Sequence, residues 1–128
     1  MHPNRRPMPY TMSWESRGVY KHFTGYVSYQ EYANSQEKVL SDHRTDDIRY
    51  VINDFLDISG YAIKTDEAEY LAAFNHGASV SNPYLRVAYV TTDARIRFLI
   101  KLVSTISAFE LKSFPTLAAA REWCTATR

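Results

Sequence analysis

The stretch "RYVINDFLDISGY", Arg49 to Tyr61, decides how this chain is organised. Its first half is apolar, aromatic and β-branched, the composition of a strand covered on both faces. The strand reading runs from Ile48 to Phe55, and "LDISGYAIK" after it reads as a loop or short extended piece. Asp54 and Asp57 then stand where the strand leaves the core. Two carboxylates three residues apart at that position admit two readings. They bind a cation or do acid–base work, because open α/β sheets place their sites at the carboxyl ends of parallel strands. Alternatively they cap turns and keep the strand end wet, as Asp commonly does. Asp93, after the next strand, extends the same acidic rim.

Working outward, periods of two and of 3.6 alternate along the chain. Upstream, "SWESRG" and "GVYKHFTGYV" suit two strands meeting near Gly18, with Gly25 as a bulge or strand end. Ser28 and Glu31 form a capping box for a helix whose apolar face holds Tyr29, Tyr32, Ala33, Val39 and Leu40. Downstream, Asp66 with Glu69 caps a second helix carrying Leu71, Phe74 and Ala78, stopped by Asn82-Pro83. "LRVAYVT" is a fully covered strand, Thr92 or Asp93 caps "ARIRFLIKLVSTIS", and "AFELKSF" leads through Pro115 to the helix "TLAAAREWC". Two strands, three helix–strand units and a closing helix predict a single α/β domain. Its mixed, mostly parallel sheet has four to five strands and about four helices. The domain is expected over residues 13–126, behind a flexible leader at 1–12.

Composition narrows the function classes. A chain of 128 residues fits one domain with a real core. Lys+Arg 15 against Asp+Glu 14 gives a net charge of +1, without the basic excess of a nucleic-acid binder. The first dozen residues hold no apolar run of signal-peptide length, and Cys124 is alone, so the expected compartment is the reducing cytoplasm. His22, His43 and His76 lack ligand spacing to each other or to Cys124, and no metal site is expected. Neither a nucleophile elbow nor a phosphate-binding glycine loop occurs, with only 4 Gly in the chain. No cofactor is therefore expected, and Cys124 reads as a small buried hydrophobe.

Several elements in order carry a family resemblance: Trp14 and Gly18, Gly25-Tyr26-Val27, Asp54-Phe55, Asn82-Pro83 with Arg86 to Val90, then Phe114, Ala120 and Trp123. Between Ser13 and Cys124 the chain resembles the bacterial SpoIIAA-like proteins, relatives of the STAS domains. The resemblance implies a small mixed sheet flanked by helices and a partner-binding role. It also implies, in the anti-sigma-factor antagonists, a phosphorylated hydroxyl at the start of the second helix. Other members of the SpoIIAA-like branch resemble Sec14-type lipid-transfer folds, which implies an apolar ligand or a membrane. Where the switch class shows Asp-Ser-Ser or Asp-Ser-Gly, this chain reads "IKTDEAEY", and Thr65 is the sole candidate phosphoacceptor.

The sharpest local signal is "DARIRFLIKLVSTIS". Ile96, Leu99, Ile100, Val103 and Ile106 make a core stripe at 100° per residue, but Phe98 and Leu102 fall outside it. The apolar arc reaches roughly 200°, about twice what covering a sheet requires, with Arg97 and Lys101 on the remaining face. A second burial surface is expected there: a neighbouring helix or the leader, a homodimer contact, an apolar ligand, or a peripheral contact with a membrane surface. The expected function is accordingly a non-enzymatic binding or regulatory module engaging a protein partner or an apolar, lipid-like molecule. The alternative is a small enzyme using Asp54, Asp57 and Asp93.

Overall fold

The computed structural model describes residues 9–74 and 82–127. Strands β1 (Tyr10–Trp14) and β2 (Gly18–Ser28) form an antiparallel hairpin that closes on the pair Trp14–Val19. Gly18 is required at its turn: a Cβ there would lie 2.2 Å from the Tyr50 ring. Strands β3 (Tyr50–Ala62), β4 (Arg86–Val90) and β5 (Glu110–Phe114) follow in the order β1-β2-β3-β4-β5, and every pair after the hairpin is parallel. Parallel neighbours need a crossover, and each crossover carries an α-helix among the described residues. These are α1 (Tyr29–Leu40), α2 (Thr65–Phe74) and α3 (Ala94–Ser104), with α4 (Leu117–Thr125) closing the chain.

The helices divide the core in two. Side chains of α1, α2 and α3 pack with Val19, Phe23, Val51, Phe55, Val87 and Tyr89 on one face of the sheet. On the other face α4 sets Ala120 and Cys124 against Tyr50, Ile52, Ala88 and Val90. All five residues of β4 are buried, as its unbroken apolar run demands. Arg86 ties α4 down: its guanidinium donates to the carbonyls of Trp123 at 2.5 Å and Ala126 at 3.2 Å, where a cation also suits the negative end of the helix. Cys124 is buried beside it, and burial pushes its thiol up to about 12.

The expected α/β architecture is thus what the chain forms, with four corrections. Residues 10–12, expected in the leader, belong to the sheet, because Tyr10, Thr11 and Met12 pair with Phe23, His22 and Lys21, and Tyr10 is buried. The second helix starts at Thr65, two residues earlier than the Asp66 cap implied, since Ala68 N–H already donates to Lys64 C=O and Glu67 receives the Lys64 N–H at 2.9 Å. Helix α3 ends at Ser104, so Ile106 lies beyond its cap and is exposed rather than core. Finally, β3 runs on to Ala62 because β2 pairs with it through Ser28↔Ala62, past a register shift beside Gly25, whose φ is 68°. The Phe74 side chain and the expected positions of His76 and Ala78 lie outside what the structure describes.

Candidate functional site

The mismatch between β3 and β4 creates the main feature. β4 ends at Val90, opposite Asp54, whereas β3 continues for eight residues with only β2 beside it. Beyond that point Phe55, Ile58 and Tyr61, with Ile63 just after the strand, line a space instead of meeting another strand. Helices α2 and α3 roof it with Leu71, Ile96 and Ile100, and α1 closes the inner end with Tyr32 and Gln36. The result is a half-open cavity of about 80 Å³ with almost entirely apolar walls.

Two phenols and the Gln36 side chain make its inner end polar. Tyr32 and Tyr89 share one hydrogen bond at 2.8 Å, and burial raises the pKa of both, that of Tyr89 to about 12. Two hydroxyls joined by one bond use one of their two hydrogens on each other. At the mouth, Tyr61 donates to Asp93 Oδ1 at 3.0 Å and the Arg95 guanidinium lies 5.5 Å from the Tyr61 ring. Asp93 also receives the Ile96 N–H as the cap of α3, and that bond foremost holds its carboxyl below the ordinary range.

Behind the inner wall sits a group that sequence reasoning missed. Lys21 is 1% exposed, with Nζ 3.0 Å from Ser35 Oγ and between the rings of Phe23 and Tyr32 at 5.6 and 5.1 Å. Burial lowers its pKa to about 7. The signal was present: Val19, Lys21 and Phe23 alternate, so all three side chains point to the same face of β2.

The expected acidic rim does not assemble. Asp54 lies inside the sheet, buried, accepting from the Tyr20 hydroxyl at 2.6 Å and the Leu56 N–H at 3.0 Å. Burial first, then Asp54, raises the Tyr20 pKa. Asp57 is exposed and 2.6 Å from His22 Nε2, and the His22 ring stacks near Tyr20 on the α4 side of the sheet. Asp93 stands apart from both, at the cavity mouth. The reason is the length of β3: neither Asp54 nor Asp57 is at a strand end. Thr65 is the exposed first residue of α2, followed directly by Asp66 and Glu67.

Helix α3 behaves as its wide apolar arc predicted on one side and less so on the other. Ile96, Leu99, Ile100 and Val103 are buried, Phe98 is 63% exposed and Leu102 is half-buried. Ala94, Arg97, Phe98, Lys101 and Ser104 line a shallow groove of about 510 Å³ shared with β5. Ile100 and Leu111 border both this groove and the apolar cavity, so the two are neighbours.

No helix among the described residues is long and apolar enough to cross a membrane. No family model and no curated protein matches the chain. Among solved structures it is similar to an uncharacterised protein of the DUF3478 family with a SpoIIAA-like fold, from Shewanella loihica PV-4. The two share 14% identity with a TM-score of 0.54 over 97% of this chain and 98% of that one. The fold is therefore SpoIIAA-like.

Proposed function

We propose that the chain is a non-enzymatic binding module whose cavity takes an apolar small molecule carrying one acceptor oxygen. The observation that carries this reading is an apolar cavity bounded by β3, α2 and α3 and ending at the paired phenols of Tyr32 and Tyr89. Apolar walls with a few placed polar groups are the usual composition of a small-molecule site. The phenol pair supplies a neutral donor for the ligand's oxygen. The enzyme reading has less support, since its carboxylates do not come together: Asp54 and Asp57 lie on the opposite side of the sheet from the cavity, and Asp93 alone stands at its mouth.

Native mass spectrometry of protein purified from its own host tests this. A bound mass that is released on denaturation is expected, and Ala68→Phe, which projects a ring into the cavity from α2, should abolish it. Wild type that carries no adduct and takes up no apolar probe would sink the reading.

A further inference from the structure

We propose that the ligand of the apolar cavity is an aliphatic carboxylate, selected by the buried ammonium group of Lys21 behind the inner wall. The inference rests on the cavity being a ligand site and names the charge of its occupant. Among the described residues no ionised side chain lines the cavity itself. Tyr32 touches both spaces: its hydroxyl, bonded to Tyr89, is at the cavity's inner end, and its ring faces Lys21 Nζ at 5.1 Å. Lys21 in turn lines a smaller space of about 20 Å³, whose walls share Tyr32, Gln36 and Tyr89 with the cavity. One layer of side chains therefore separates the cation from whatever occupies the inner end.

Among the described residues nothing compensates the charge on Lys21. Its side chain bonds Ser35 Oγ at 3.0 Å, and burial alone lowers its pKa to about 7. The titratable groups packed around it are Tyr32 from α1 and Tyr89 from β4. Burial raises the pKa of both, so neither supplies a negative charge near neutral pH. Gln36 of α1, Asn53 of β3 and Met12 of β1 do not ionise, and Lys38 of α1 is exposed over the Tyr10 ring. A desolvated ammonium without a partner destabilises the fold, and an anion across a thin layer of low dielectric offsets that cost. One cation matches one negative charge, which a carboxylate carries and a doubly charged phosphate monoester exceeds. The hydrogen that the phenol pair leaves over can donate to a carboxylate oxygen. The mouth has no such preference, because Arg95 there stands near Asp93 and the two charges oppose each other.

The test is isothermal titration calorimetry of the full chain with octanoate and with octanol, which share a chain length. While Lys21 is protonated, octanoate should bind tighter by about tenfold, the order expected of one screened charge pair. A bound carboxylate favours the ammonium form, so it raises the Lys21 pKa, and binding takes up a proton wherever free Lys21 is neutral. Octanoate affinity should therefore hold below about pH 7 and fall above it, by up to about tenfold per pH unit. Octanol affinity should not fall. Lys21→Met should bring octanoate down to the affinity of octanol and flatten the profile, and Ala68→Phe should block both probes. If Lys21→Met does not fold, the wild-type pH profile still decides, as does proton uptake read from buffers of different ionisation enthalpy. Equal affinity for acid and alcohol, or an octanoate affinity that does not fall above pH 7, would overturn the proposal while leaving the cavity a ligand site. So would a preference that survives Lys21→Met or disappears in Arg95→Gln. If neither probe binds, the ligand reading itself falls and this inference with it.

Discussion

At the scale of single residues, Lys21 makes the clearest demand on the fold. An ammonium group among Phe23, Tyr32 and Val39 lacks the hydration it has in the unfolded chain, and burial lowers its pKa to about 7. An unfolded lysine titrates at about 10.4. Between those values the unfolded chain binds a proton that the native chain does not, so stability should rise as pH increases from about 7. Cys124 and the buried tyrosines oppose this above about pH 9, because their raised pKa values mean the unfolded chain ionises first. Urea unfolding at pH 7, 8 and 9 should therefore show a rise of at most about 1.4 kcal/mol per unit. Lys21→Met should be more stable than wild type at pH 7 and should lose that slope. An unchanged slope would mean that the proton is held elsewhere. Gly18 is the other decisive residue. Gly18→Ala should cost about 1–3 kcal/mol as its methyl meets the Tyr50 ring. A double-mutant cycle with Tyr50→Leu should recover part of that loss.

At the scale of elements, much of the fold was legible because local chemistry agreed with it. Ser28 accepts the Glu31 N–H at 3.2 Å, the N-cap bond that the capping-box spacing predicts, and its hydroxyl donates to Glu31 Oε1 at 2.9 Å. Asp93 and the Ile96–Leu99–Ile100–Val103 stripe likewise placed α3 from sequence alone. The two strand misses share one cause: pairing over long range overrode local preference. "LDISGY" contains Asp57, Ser59 and Gly60, poor strand formers, and becomes strand because β2 holds it. Tyr10 joins β1 for the same reason, by pairing with Phe23. The cavity was illegible because it arises from a difference in length between two strands set far apart in the sequence. Within α3, Phe98→Ser should leave stability within about 0.5 kcal/mol of wild type, whereas Leu102→Asp, at a half-buried position, should cost clearly more. Thermal melts of the two variants would separate an exposed face from a covered one. Equal losses would place Phe98 in the core.

At the scale of the whole molecule, two faces of unequal character share one sheet. The α4 side is held by charge and hydrogen bonds as well as packing. Arg121 reaches Glu15 through two bonds at 3.0 and 2.8 Å, and the Tyr50 hydroxyl adds a third at 2.5 Å. The bond from Arg121, chiefly, holds the Glu15 carboxyl below its ordinary range. The α2–α3 side relies on apolar contact around an incompletely filled space. Filling it with Ala68→Phe should raise stability by about 0.5–2 kcal/mol while removing ligand uptake, and differential scanning calorimetry with native mass spectrometry would read both. A fall in stability would show that the helices cannot yield to the ring. The overhang of β3 has a kinetic corollary. From Tyr50 to Asp54 the strand is clamped between two neighbours, but from Asp57 to Ala62 it has β2 alone. A single β3 should thus contain two cooperative units, and deuterium should enter its amides in two steps. The distal ladder would exchange through a local opening that leaves the five-stranded centre intact, and the proximal amides only when the whole domain unfolds.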